Sequence, residues 1–429
     1  MVNLKRRHFK GCQSFHYLLA ALCFFVSFDS NAELQTNLDQ IEPGGTITLP
    51  AGEISSMVLR VPNVTVSCDK NTVIDAEGQG HAVEILAAGI SFSDCQIRNW
   101  GQDLTKLDAG IFVSRQATGS VIHNNRLTGP AFGIWVDATA DVVVRNNYIQ
   151  GDAGIRSQDR GNGIHLFNTS GALIEENKII QTRDGIYIEA ANNNTIRNNL
   201  MTSLRYGIHY MYSMDNLLEN NITRNTRTGY ALMQSKRLRV IGNRSENDEN
   251  YGILLNFITD SIFLNNVVEG VSQGQTAGLD ISGAEGKGLF VYNSLYNRFE
   301  SNFFVDNNIG IHLTAGSEDN KFKNNAFINN TNQVKYVSNR LQEWSTDGVG
   351  NYWSDYLGWD LNKDDIGDTA YEPNDGIDRL LWKYPDAKLL INSPSVMLLR
   401  WVQKQFPILK SPGVKDSHPL MTLPAELTP

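Results

Sequence analysis

Four of the chain's eight methionines, Met201, Met211, Met214 and Met233, fall within one short stretch, with His209 among them. Thioether sulfur is polarizable and binds oxygen-loving cations poorly, so this donor set suits a soft monovalent ion such as Cu(I). Methionines also serve as adaptable packing, and the two readings separate on which way the side chains point. Two phrases carry them, RYGIHYMYSMDN (Arg205 to Asn216) and GYALM (Gly229 to Met233).

The elements that must position these residues are written as a repeat. A Gly-apolar-x-apolar phrase recurs at Gly110, Gly133, Gly163, Gly185, Gly207, Gly229, Gly252, Gly288 and Gly310, and most steps are 22 or 23 residues. The longer steps, before Gly163 and Gly288, mark inserted loops. Asparagine keeps time with the phrase at Asn125, Asn147, Asn177, Asn199, Asn221, Asn243, Asn266, Asn302 and Asn325. One short strand per phrase, glycine at a corner and no helical filler predict an all-β solenoid, a right-handed parallel β-helix of ~22-residue coils. GTITLPAGEI, VTVSC and HAVEIL read as its opening coils. The asparagines read as structural, each amide bonding its equivalent one coil along.

Strand side chains alternate, so the first and third residues after each glycine face one way and the second and fourth the other. The first set, including Ile186/Ile188, Ile208/Tyr210 and Tyr230/Leu232, is the lumen. The second set contains Trp135/Asp137, His165/Phe167, Tyr187/Glu189, His209/Met211 and Ala231/Met233 and faces outward. Met211 and Met233 then occupy one outward position on consecutive coils, with His209 beside Met211 and Met214 in the following turn. His209, Met211, Met233 and Met214 are therefore the candidate metal ligands, and His165 stands two coils earlier in the same column.

The ends and the composition bound the rest. Basic Lys5, Arg6, Arg7 and Lys10, an apolar Tyr17 to Phe28 and the small-residue Ser30-Asn31-Ala32 read as an export signal over 1–32, cleaved after Ala32. No later run reaches the roughly 20 apolar residues of a membrane span. A net charge of −9 without clustered cations argues against nucleic acid. Cys68 and Cys95 admit a disulfide or a pair of buried thiols. Residues 33–343 read as the solenoid, and 344–429 as a small, partly helical cap or partner-docking segment. Within that segment Ser393 caps a helix opened by Pro394, with Val396, Leu399, Val402 and Phe406 at helical spacing. DLNKDDIGD (Asp360 to Asp368) resembles a calcium loop but has Asp365 and Tyr371 where glycine and glutamate belong. No GxxxxGK[ST] phosphate loop is present, so an ATP-driven step would belong to another chain.

A carbohydrate-active β-helix, such as a lyase, epimerase or hydrolase, is the alternative. Its outward carboxylates would be Asp137 and Glu189, two coils and so about 10 Å apart, at or beyond the upper limit for a pair acting across one bond, which leaves this reading poorly supplied with residues.

The phrases GIHYMYSMDN, GYALMQSKRL, GNYWSDYLGWD (Gly350 to Asp360), RLLWKYP, LLINSPSV and GVKDSHPLM (Gly413 to Met421) resemble those of the NosD family, periplasmic copper-binding proteins of nitrous oxide reductase maturation. The likeness spans nearly the whole chain after the export signal. Family members often carry Asn at the place of Met214. The resemblance implies a β-helix on the outer side of a NosF and NosY ABC transporter. It implies copper received from a NosL lipoprotein and passed toward nitrous oxide reductase, in an accessory role without catalysis.

Overall fold

The computed structural model describes residues 33–274, 285–338, 340–374, 377, 378, 382, 384, 393–405 and 413–424. The export signal expected over 1–32 and Phe406 of the expected helical stripe lie outside them. Strands are short because each coil turns a corner after three to six residues, and stacked coils pair in parallel. Among the described residues they form three sheets of twelve, thirteen and twelve strands, in which each strand pairs with its equivalent one coil on. The result is the expected right-handed solenoid.

The lumen is filled by the residues that alternation assigned to it. Ile111, Ile134, Ile164, Ile186 and Ile208 form one register column and Val113, Val136, Leu166, Ile188 and Tyr210 the next, all with no exposed surface. Each buried aliphatic side chain contributes about 1.5–3 kcal/mol, and stacking completes what no single coil encloses. The glycine of each phrase stands where successive backbones meet. A Cβ on Gly185 would lie 2.5 Å from the Gly207 carbonyl oxygen, and one on Gly207 would lie 2.6 Å from that of Gly229.

Asparagine pairs turn one corner. The first member takes a left-handed φ, as at Asn124, Asn146, Asn198 and Asn220, a conformation that asparagine tolerates better than most residues. The second member joins the column. The Asn199 backbone N–H and side-chain amide both donate to Asn221 Oδ1 at 3.1 and 2.9 Å, and Asn221 repeats this toward Asn243. The column starts at the Cys95 N–H, runs through Asn325 and Asn351, and ends on the buried Asp416 carboxylate, which also accepts from Trp353 Nε1 at 2.9 Å.

Both ends are covered. At the start, a helix over 33–40 buries Leu38 against the first coils. At the far end, the lumen stack Phe263–Phe299–Phe322 continues onto Trp344, and Phe304–Phe327 onto Trp353 and Tyr371. The strand Tyr352–Trp353 still pairs with Ala326 and Phe327, so solenoid and tail share a sheet. The helix Pro394–Gln405 forms as expected, with Ser393 Oγ accepting from the Val396 N–H at 3.3 Å. Its Val396 and Val402 are half-buried, whereas Leu399 is exposed along with Met397, Leu398 and Trp401.

Cys68 and Cys95 are joined in a disulfide, which resolves the choice left open by their spacing. In the acidic loop, Asp360 accepts from the backbone N–H groups of Lys363 and Asp365, and Asp368 accepts from that of Leu361. These carboxylates brace the loop's own turn instead of converging.

Candidate soft-metal site on the outer face

The site is assembled from the strands Asp184–Glu189, Tyr206–Met211 and Thr228–Met233. Their register sets Tyr187 beside His209, His209 beside Ala231, Glu189 beside Met211 and Met211 beside Met233. The two thioethers thus share one outward position a strand spacing apart, about 4.8 Å, and His209 lies on the same face two residues before Met211. Along the outward column Phe112, Trp135, His165, Tyr187 and His209, the ring-bearing series stops at Ala231. The shortest side chain of the column therefore adjoins His209, on the strand that carries Met233.

The outer face is less open than alternation alone suggests. Trp135, His165, Tyr187 and His209 point away from the lumen, yet all are buried. Their rings cover one another, with centroids 3.9 Å apart for Trp135 and His165, 4.6 Å for His165 and Tyr187, and 4.3 Å for Tyr187 and His209. Tyr206 closes edge-on against His209 at 5.0 Å. Met211 and Met233 are half-buried at the edge of this stack.

His209 is oriented by a residue of the preceding coil. Its Nδ1 lies 3.0 Å from Asp184 Oδ2, and Arg205 grips the same carboxylate through Nε at 2.8 Å and Nη2 at 2.6 Å. Burial pushes the Asp184 carboxyl up, but the bonds from His209 and Arg205 outweigh it and hold the group below the usual carboxylate range. An ionised acceptor at Nδ1 places the ring proton there and leaves the Nε2 lone pair available, the arrangement that carboxylate–histidine–metal sites use. His209 Nε2 has no hydrogen-bond partner among the described residues.

His165 has the same column position and the opposite wiring. The Arg183 Nε–H donates to Asn162 Oδ1 at 3.3 Å, so the Asn162 amide nitrogen faces His165 Nδ1, 3.2 Å away. Nδ1 is thereby the acceptor and Nε2 carries the proton, buried 3.5 Å from Glu189 Oε2 without forming a hydrogen bond. Burial holds the ring's pKa below its ordinary value. His165 has no lone pair directed at the methionines.

Tyr187 touches two of the candidate donors, His209 and Met211. It stacks on the His209 ring, and its hydroxyl donates to Met211 Sδ at 3.2 Å. Burial, reinforced by the charges of Glu189 and Asp184, pushes this phenol up to about 12, so it stays a donor at neutral pH.

The structure divides the methionine cluster. Met201 is fully buried in the lumen, on a strand of another sheet. Met214 lies past the turn, bridged to Lys236, with Arg237 Nη2 3.8 Å from its sulfur. His209, Met211 and Met233 are brought together, and Met214 stands beside a guanidinium that a bound cation would have to displace. Sequence reasoning missed Asp184 and Arg205. The available signal was the register: Asp184 precedes the glycine of its coil as Tyr206 precedes that of the next, so a carboxylate was due beside the Arg205–His209 strand. Among the described residues no three His, Cys, Asp or Glu side chains group as a cation site.

The carboxylates of the carbohydrate alternative are two coils apart, as expected, and both are engaged. Asp137 faces Arg115 Nη2 at 3.7 Å, and Glu189 faces His165.

A family profile described as right handed beta helix region matches residues 58–161, and one described as periplasmic copper-binding protein (NosD) matches residues 145–358. A protein of Stutzerimonas stutzeri named "Probable ABC transporter binding protein NosD" is 55% identical over 425 residues, covering 97% of each chain. A Pseudomonas aeruginosa protein of the same name is 58% identical over 381 residues, covering 89% of each. Among solved structures, a PL6 alginate lyase bound to a trisaccharide superposes with a TM-score of 0.55 at 12% identity, covering 77% of this chain and 86% of that one, which shows a shared fold alone. No described helix is long and apolar enough to cross a membrane. With homology to the two NosD proteins running across nearly its whole length, the chain belongs to the NosD family of periplasmic copper-binding proteins.

Proposed function

We propose that the chain is an accessory protein that holds Cu(I) transiently on His209, Met211 and Met233 and passes it on for maturation of the copper centres of nitrous oxide reductase. The carrying observation is the Asp184-tethered imidazole beside two register-paired thioethers. One nitrogen and two sulfurs suit Cu(I), which accepts three soft or borderline ligands. Met214 is the fourth soft donor, placed at the margin beside Arg237. A half-buried, three-donor site at the edge of a surface leaves room for an incoming ligand, so metal exchanges with a donor and an acceptor instead of being sequestered.

The relatives' printed name supports an ABC transporter as partner. A NosF/NosY-like transporter supplies the ATPase that this sequence lacks, and a NosL-like lipoprotein is the copper donor. The export signal over 1–32, cleaved after Ala32, delivers the chain to the periplasm. No catalytic step is assigned to it.

The test is anaerobic chelator competition for Cu(I), comparing the wild-type chain with the His209→Ala/Met211→Ala/Met233→Ala variant. We expect competitive binding by the wild type and a loss of at least a hundredfold in the variant, with reductase copper loading in cells falling in parallel. Equal binding by the two proteins would remove the site, and unchanged loading in cells would remove the transfer role.

A further inference from the structure

Tyr187 contacts two of the three proposed copper ligands without being a ligand itself. Its ring lies nearly parallel to His209, at an interplanar angle of 16°, and its hydroxyl occupies Met211 Sδ. A second acceptor stands beside the first: Glu189 lies two residues after Tyr187 on the same outward face of its strand and is the register partner of Met211. Glu189 in turn faces the protonated nitrogen of His165. A proton donor thus stands between a soft sulfur and an anionic oxygen.

A thioether is a weak hydrogen-bond acceptor and a carboxylate a strong one. The phenol's choice between them depends on whether the sulfur's electron density is in use. A cation on Met211 draws that density away and weakens the S···H–O bond. The same cation leaves the Glu189 carboxylate an undiminished acceptor.

We propose that Tyr187 is a latch that holds the Met211 sulfur in the metal-free protein and turns its hydroxyl to Glu189 when a soft cation takes that sulfur. The proposal rests on the copper reading given above. It makes release an exchange of two bonds inside the protein: as the Met211–metal bond lengthens, the Tyr187 hydroxyl returns to the sulfur and caps it. No net proton is gained or lost, because the phenol keeps its hydrogen throughout. Tyr187 is a positioning residue, acting on the metal through Met211, and Glu189 is the receiver that makes the loaded state accessible.

The experiment uses Ag(I), a redox-silent d10 surrogate for Cu(I), with the full chain after export. Affinity and the rate of transfer to a chelator are measured for wild type, Tyr187→Phe, Glu189→Gln and the double variant. Tyr187→Phe keeps the ring stack and removes only the hydroxyl. We expect it to bind about three- to tenfold more tightly and to release proportionally more slowly, as loss of one competing hydrogen bond implies. Glu189→Gln is expected to weaken binding in the tyrosine background and to do so less in the phenylalanine background, since the carboxylate then has no hydroxyl to receive.

Unchanged or weaker binding by Tyr187→Phe overturns the latch, and so does a Glu189→Gln effect of equal size in both backgrounds. In that event wild-type binding that His209→Ala abolishes would still leave the metal site standing. If the wild type itself does not bind Ag(I), the site and the latch fall together.

Discussion

Two columns of polar side chains climb the same coils and are wired differently. In the asparagine column each side-chain amide meets partners on the coils before and after it, and nothing is left for a ligand. In the outer column of the third sheet the chemistry changes from coil to coil. His165 is hydrogen-bonded at Nδ1, with Nε2 3.5 Å from Glu189 but making no hydrogen bond; His209 is hydrogen-bonded at Nδ1, and the Met233 sulfur has no partner among the described residues. Repetition buries polar groups safely; a local break in repetition, here His209 followed by Ala231, sets an imidazole beside the shortest side chain of its column. The lesson is that a function in a solenoid is found by asking where a column stops repeating.

Three substitutions probe that contrast. The largest effect on the fold is expected from Asn221→Ala, which removes the acceptor of the buried Asn199 backbone N–H and the side-chain donor to the Ile196 carbonyl, while the Asn199 amide keeps its bonds to Ile174 and Arg197. Each such buried group costs about 1–3 kcal/mol, so we expect a loss of roughly 2–4 kcal/mol in urea unfolding, with Cu(I) affinity per folded molecule unchanged. A loss of copper binding without a loss of stability would reverse the roles assigned to the two columns.

Asp184→Asn targets the wiring of the outer column. An amide at this point no longer holds the His209 proton on Nδ1 with a charge, and we expect Cu(I) affinity to fall about 10–100-fold. Isothermal titration under anaerobic conditions measures it, and full affinity in this variant would mean that the ring is oriented by stacking alone. The smallest effect is expected from His165→Phe. This change keeps a ring in the stack and removes the nitrogen that faces Glu189, and affinity should move by less than about threefold; a fall as large as that of His209→Ala would make His165 a ligand.

Much of this was legible because the coils repeat. The period fixed the number of faces, the alternation after each glycine sorted Ile208 and Tyr210 from His209 and Met211, and register followed from equal spacing. What was not legible arises between coils or across insertions. Met201 is near Met211 in sequence, yet it sits on a strand of a different sheet with its side chain in the lumen. Asp184 belongs to the coil before His209, 25 residues away, and a local reading of GIHYM has no place for it. The burial of Trp135, His165 and Tyr187 depends on rings stacking along the column, a packing outcome that alternation does not contain.

The asparagine column also has a direction. Each backbone N–H of the column donates toward the later coil, while the side-chain amide donates both ways, so the corner N–H of a coil is satisfied only once its successor exists, and the last acceptor is Asp416. A chain made from its N-terminus therefore carries an incomplete growing edge until Asp416 arrives. Completion is signalled by a single carboxylate that needs no acceptor beyond it, which makes Asp416 the stop mark of an otherwise open-ended assembly.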